Sequence, residues 1–208
     1  MRVAVVNEVS AANKNADILK ALEGFGCEVI NAGMQSPDEQ PELTYIHTGL
    51  ISALLLNLDA VDLVVGGCGT GQGFLNSVMQ YPGVFCGLLS DPLDAWLFSQ
   101  INGGNCISLP LNKGYGWAGD INLKYIFEKL FTGEMGAGYP EHRKESQKES
   151  RNMLKQISAA NHLKIEDSLA LLDETIVKTV FSARQFVAAV QAHSKNGALR
   201  DHILKQYT

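Results

Sequence analysis

Residues 66–73 read GGCGTGQG, so Cys68 and Thr70 stand in a run where nearly every other residue is glycine. An apolar stretch, AVDLVV, precedes the run, and a helical pattern, FLNSVMQ, follows it. Glycines at 69, 71 and 73 let a backbone approach a ligand closely and tolerate positive φ. Their N–H groups, ahead of a helix start, suit an anion. A cysteine thiolate at that mouth is stabilised and becomes available as a base or nucleophile. A lone cysteine in an apolar strand is ordinarily packing material, and that reading suffices for Cys27, Cys86 and Cys106. Cys68 differs because it ends its strand beside the glycine loop. Two familiar phosphate loops are excluded. A dinucleotide fingerprint needs an acidic residue at the end of the next strand and belongs on the first strand. A P-loop needs Gly-Lys-Ser/Thr.

The rest of the chain must position that loop. Apolar, β-branched runs at RVAVVN, CEVINAG, AVDLVVGG, VFCGLLS and NCISLPL predict five strands. Helical patterns alternate with them. NADILKALEGFG has Gly26 as its stop, TYIHTGLISALLLNL is apolar throughout, and PLDAWLFSQIN has Asp91 as N-cap. INLKYIFEKLFTG is expected to pack with Ile121, Tyr125 and Leu130 on one face. Alternation of this kind means a parallel sheet with helices on both faces, joined by right-handed crossovers. Ligands of such sheets sit beyond the carboxyl ends of the strands, so the loops after strands one, three, four and five are the places to look. After Gly138 the pattern changes to a charged stretch, YPEHRKESQKESRNM, and then to helices without strand signal. In IEDSLALLDE, Asp167 and Ser168 are the expected helix start. The organisation reads as a domain over 1–150 and a helical extension over 151–208 that packs on the core or on a partner subunit.

Composition narrows the function classes. A chain of 208 residues can bury a substantial core. A net charge of −5 gives nucleic-acid binding no electrostatic support, and no apolar run reaches membrane-span length. The four cysteines form no CxxC pair, which argues against a zinc site or disulfide framework and for a reducing cytoplasm.

The loop GGCGTGQG resembles the active-site loop of the ribose-5-phosphate isomerase B and galactose-6-phosphate isomerase family. GVFCGLLSDPLDAWLFSQINGGNCISLPL is similar to that family's strand, helix and asparagine-containing turn. FTGEMGAGYPEHR falls where the family has a helix end, glycines and an arginine. The likeness covers residues 1 to about 150 and marks the tail as an elongated branch. It implies a Rossmann-like three-layer sandwich and aldose–ketose isomerisation of a small sugar phosphate through an enediolate, without cofactor or metal. In that chemistry Cys68 is the base, the N–H groups of Gly69, Gly71 and Gly73 hold the oxyanion, and Thr70 shuttles a proton between oxygens.

The resemblance also places Glu8 where the family has a substrate-binding aspartate. Asn102 stands at an asparagine that often reaches across a dimer interface. Arg143 is the candidate phosphate arginine, with His142 beside it and Lys113 as helper. It implies a homodimer or a dimer of dimers. Ile101 departs from the pattern, since the family usually has a ring-opening histidine there. Isoleucine transfers no proton, so either another residue, His142 or His47 first, opens the ring, or the substrate has no stable ring, as with a tetrose 4-phosphate in place of ribose 5-phosphate. The competing expectation is a sugar-phosphate-binding or regulatory protein on the same scaffold, because a fold does not dictate an activity.

Overall fold

The computed structural model describes residues 1–208. Strands β1 (Arg2–Asn7), β2 (Glu28–Asn31), β3 (Leu63–Cys68), β4 (Cys86–Leu88) and β5 (Cys106–Pro110) form one parallel sheet in the order β2-β1-β3-β5-β4. Helices cover both faces, giving the three-layer, Rossmann-like sandwich. Val3, Val5, Leu63, Val65, Ile107 and Leu109 point to one face, against α1 (Asn15–Ala21), α4 (Pro92–Leu97) and α5 (Gly119–Leu130). Ala4, Val6, Val64, Cys68 and Cys106 point to the other, against α2 (Tyr45–Asn57) and α3 (Gln72–Val78). Strands buried on both faces read as continuous apolar runs, which is why β1 and β3 show so little alternation.

The tail consists of α6 (Lys144–Asn161), α7 (Ile165–Leu171), α8 (Glu174–Ser182), α9 (Arg184–His193) and α10 (Gly197–Tyr207). Helices α7 to α9 pack on the outer side of α2. Val180, Phe186, Val190 and Ile203 are buried in the same core as Leu50, Leu54 and Phe74. This explains the sequence of α2: a helix apolar all round needs cover all round. Each such large side chain contributes roughly 1.5–3 kcal/mol on burial, so the tail is held to the core rather than tethered beside it. The expected boundary at 150/151 falls within α6.

Three local expectations are corrected. Helix α1 ends at Ala21, and Gly24 and Gly26, both at positive φ, belong to the turn after it. In α5 the buried face is Leu123, Ile126, Phe127 and Leu130, while Ile121 and Tyr125 are about half exposed; the i, i+3, i+4, i+7 spacing of the first set is the one that stays on a single stripe. Helix α7 starts at Ile165, so Glu166 and Asp167 lie in its first turn, where acidic groups are favoured, instead of preceding it. Asp91 does cap α4, its Oδ1 accepting from the amides of Leu93 (2.8 Å) and Asp94 (2.9 Å).

Candidate active site at the carboxyl end of the sheet

Cys68 is the last residue of β3, 6 % exposed, with Pro110 of β5 as its register partner. Its carbonyl accepts from the amides of Gly71 (3.2 Å) and Leu111 (3.0 Å), and its Sγ lies 4.0 Å from Thr70 Oγ1. Gly71 caps α3 at φ +76, a conformation side-chain-bearing residues rarely adopt, and a Cβ there would come within 2.5 Å of Leu88 Cδ1. Its carbonyl is held by Ser108 Oγ at 2.6 Å. Behind the loop, the tip of the Phe74 ring of α3 abuts Gly66, where a Cβ would sit 2.2 Å from Cζ. Glycine at these two positions lets strand and helix approach closely enough to shape the turn.

The amides of the loop are not equally available. Gly69 N–H donates to Ser10 Oγ (3.1 Å), Gly71 N–H to Cys68 O, and Gln72 N–H to Thr70 Oγ1 (3.3 Å). The amides of Thr70 and Gly73 have no partner in the chain.

Glu8, directly after β1, is 4 % exposed. Its Oε2 accepts from Ser10 N–H (3.1 Å) and its Oε1 from the Ser10 hydroxyl. Asn112, after β5, donates from Nδ2 to Ser10 O (2.9 Å), and the amides of Asn112 and Lys113 both donate to Gly69 O (3.0 and 2.8 Å). Loops after β1, β3 and β5 are thus stitched into one surface. Ser10, Asn112 and Tyr45, whose ring lies against Gly73, belong to it and were not singled out in the sequence; their position after strand ends was the available signal. Lys113 also lines a cavity of about 260 Å³ with Ser90, Tyr115 and Asn122. Burial, followed by the hydrogen bond to Asp17, pushes the Tyr115 phenol up well beyond its ordinary value. Burial also pushes the Cys106 thiol up, helped by its neighbour Cys86.

Asn102, His142 and Arg143 are elsewhere. α4 runs back along the sheet into a π-helical turn, Phe98–Asn102, which ends at Gly103 in the left-handed region. Asn102 therefore precedes Cys106, the first residue of β5, and lies beyond the amino end of the sheet. Four residues of β5 alone separate Cys106 from the level of Cys68, about 13 Å. The carbonyls at the end of this turn are claimed in sequence: Ser99 O by Gly136 N–H (2.6 Å), Gln100 O by Gly138 N–H (2.8 Å), and Ile101 O by Arg151 Nη1 (2.8 Å). Arg143 and Arg151 share with Asn102 a groove of about 950 Å³ between α6, the π turn and edge strand β4, to which Lys148 and Lys155 add further positive charge. His142 stands next to Arg143, exposed, in the 3-10 turn Glu141–Arg143. One chain thus brings together the loops that carry Cys68, Thr70, the glycines, Glu8 and Lys113, and places Asn102 and Arg143 on the separate groove along β4.

The sequence model of the Ribose/Galactose Isomerase family matches residues 3–145. The chain belongs to this family. Two solved structures resemble it over its whole length, tail included. One is a ribose-5-phosphate isomerase from Vibrio parahaemolyticus, 42 % identical with a TM-score of 0.95, covering 100 % of this chain and 99 % of that one. The other is a 4-deoxy-L-threo-5-hexosulose-uronate ketol-isomerase complexed with a tartrate, 39 % identical with a TM-score of 0.95 and the same coverage. A ribose 5-phosphate isomerase from Thermotoga maritima, 22 % identical with a TM-score of 0.57, covers 71 % of this chain and 97 % of its own, and shares the fold. A search of curated proteins gives no match. No helix is long and apolar enough to cross a membrane.

Proposed function

We propose that this family member is an aldose–ketose isomerase of a small anionic sugar and that Cys68 is its base. The observation that carries the reading is the placement of Cys68 at the end of β3, 4.0 Å from Thr70 Oγ1 and next to two unpartnered amides. A thiolate there takes the proton from the carbon beside the carbonyl and returns it to the neighbouring carbon. The amides of Thr70 and Gly73 stabilise the enediolate oxygen, and the Thr70 hydroxyl passes a proton between the two oxygens. The Lys113 amide, bound to Gly69 O, fixes the loop from the β5 side.

The anionic end of the substrate is received, in this reading, by a second copy. Asn102 lies beyond the amino end of the sheet, away from Cys68 of its own chain, and a homodimer that docks the β4 groove of one chain on the Cys68 loop of the next completes the site. Half-exposed Leu154 and Ile157 in that groove supply apolar contact area. The four free thiols fit a reducing, cytoplasmic setting.

Ile101 offers no proton for ring opening, so the substrate is one that does not stay cyclic. A four-carbon sugar phosphate is one such compound, because its O4 is esterified. The substrate named for the uronate ketol-isomerase relative is another. It lacks a hydroxyl at carbon 4 and carries a carbonyl at carbon 5, so neither usual ring-closing hydroxyl is there.

The test is deuterium exchange. With erythrose 4-phosphate, ribose 5-phosphate and 4-deoxy-5-hexosulose uronate as the panel, the unmodified protein exchanges the carbon-bound hydrogen of at least one non-cyclic member faster than that of ribose 5-phosphate. Cys68→Ala lowers the rate by about a hundredfold or more. Binding without exchange for every member would make the protein a sugar-binding or regulatory scaffold instead.

A further inference from the structure

Resemblance assigns Glu8 a direct contact with substrate hydroxyls, but the structure fills its carboxylate otherwise. Both oxygens face Ser10, one accepting its amide and the other its hydroxyl, and only 4 % of the residue meets solvent. Ser10 itself is exposed, and its Oγ stands 3.1 Å from the amide nitrogen of Gly69, one peptide bond from Cys68. No lysine, arginine or histidine forms an ion pair with Glu8.

The donor and acceptor capacities of the serine hydroxyl then settle its polarity. A hydroxyl has one hydrogen to give and two lone pairs to receive with. The hydrogen is committed to Glu8, since a carboxylate only accepts. One lone pair takes the Gly69 N–H. A single lone pair remains, on the side chain of an exposed residue that touches the amide next to the proposed base. We propose that Ser10 is a specificity-determining residue of this site: locked by Glu8 into the acceptor role, its hydroxyl reads a hydroxyl group of the substrate. Glu8 acts through Ser10 and is a positioning residue. Asn112 completes the fixture by holding the Ser10 carbonyl at 2.9 Å.

The proposal rests on the reading of the Cys68 loop as the substrate site and names what that site selects for: a hydroxyl donor, not only an anion. A pair of ligands separates the two. Tartrate and succinate share a four-carbon backbone with a carboxylate at each end and differ by two hydroxyls. By calorimetry on the full-length protein, tartrate binds roughly five- to tenfold tighter than succinate, the scale of one good hydrogen bond. In Ser10→Ala that preference falls to about one, while succinate binding changes little. Ser10→Thr, which keeps the hydroxyl, restores the preference and serves as the control for a local packing defect.

For the panel sugar with the highest exchange rate, Ser10→Ala raises KM roughly fivefold with kcat within about twofold, the pattern of lost ground-state binding. A tartrate preference that survives in Ser10→Ala overturns the proposal, as does the absence of any preference in the unmodified protein. Cys68→Ala distinguishes this from failure of the isomerase reading. If that variant keeps exchanging hydrogen, the base assignment falls; if it stops exchanging but keeps the tartrate preference, the base and the Ser10 assignment both stand.

Discussion

At the carboxyl end of the sheet, three loops from distant parts of the chain hold one another through backbone and side-chain hydrogen bonds: Gly69 to Ser10, Asn112 to Ser10, and Asn112 and Lys113 to Gly69. By contrast, the π turn, the 136–138 loop and α6 leave a wide groove along edge strand β4, lined by Arg143, Lys148, Arg151 and Lys155 and running from Asn102 to Leu88 and Asp94. One region is closely fixed and holds a buried carboxylate; the other is open and cationic. Proton transfer at carbon needs the first kind of environment, where donors do not have to reorganise as charge develops. Capture of an anionic sugar needs the second. The proposed dimer is the arrangement that puts the groove of one chain against the Cys68 loop of the other.

The largest effect that would break this comparison is complementation. Cys68→Ala and Arg143→Ala are each expected to be nearly inactive as homodimers. Mixed in equal amounts and allowed to exchange subunits, they regain about a quarter of the unmodified exchange rate, because half the dimers are hybrid and each hybrid holds one intact site of two. No recovery, in a mixture shown by native mass spectrometry to contain hybrids, means that the two regions serve separate sites.

A change confined to the fixed end comes next. Gly71→Ala forces a side chain into the left-handed region and against Leu88. It is expected to cost about 1–3 kcal/mol of stability, read as a lower midpoint in urea unfolding, and to slow hydrogen exchange into the substrate at saturating concentration. Stability equal to the unmodified protein would show that the loop is less constrained than its hydrogen bonds indicate.

The smallest effect tests a neighbour of the fixed end. His47 Nδ1 accepts from the Thr44 amide at 3.0 Å at the start of α2, a role open only to the neutral ring. Burial holds its value below that of an ordinary histidine and outweighs the nearby Glu42 carboxylate. The unfolded chain therefore takes up this proton first as pH falls, and stability is lost as pH drops through the ordinary histidine range and below. His47→Gln, which keeps an acceptor at the same helix position, is expected to reduce the fall in Tm between pH 7 and 5 by about 1–2 °C. An unchanged slope would assign that part of the pH dependence to other groups.

Much of the fold was legible in the chain because it depends on local pattern. Apolar runs alternating with helical periods specify a parallel sheet covered on both faces, and GGCGTGQG marks the turn from β3 into α3. The packing of α7 to α9 on α2 was legible only as a question, since a helix apolar on all sides requires cover but does not name it. Side-chain partnership was not legible. Ser10 and Asn112 lie 102 positions apart, and a hydrogen bond between them follows from crossover topology, not from any spacing in the sequence. The same holds for Asn102 and Arg143. Resemblance placed both at the active site, yet strand direction sends α4 back toward the amino end, so the folded chain carries Asn102 away from Cys68, and Arg143 lines the groove along β4. Sequence determined which residue types stand at the strand ends; only the folded chain decided which ends face one another, because parallel strands and returning helices put consecutive segments at opposite edges of the sheet.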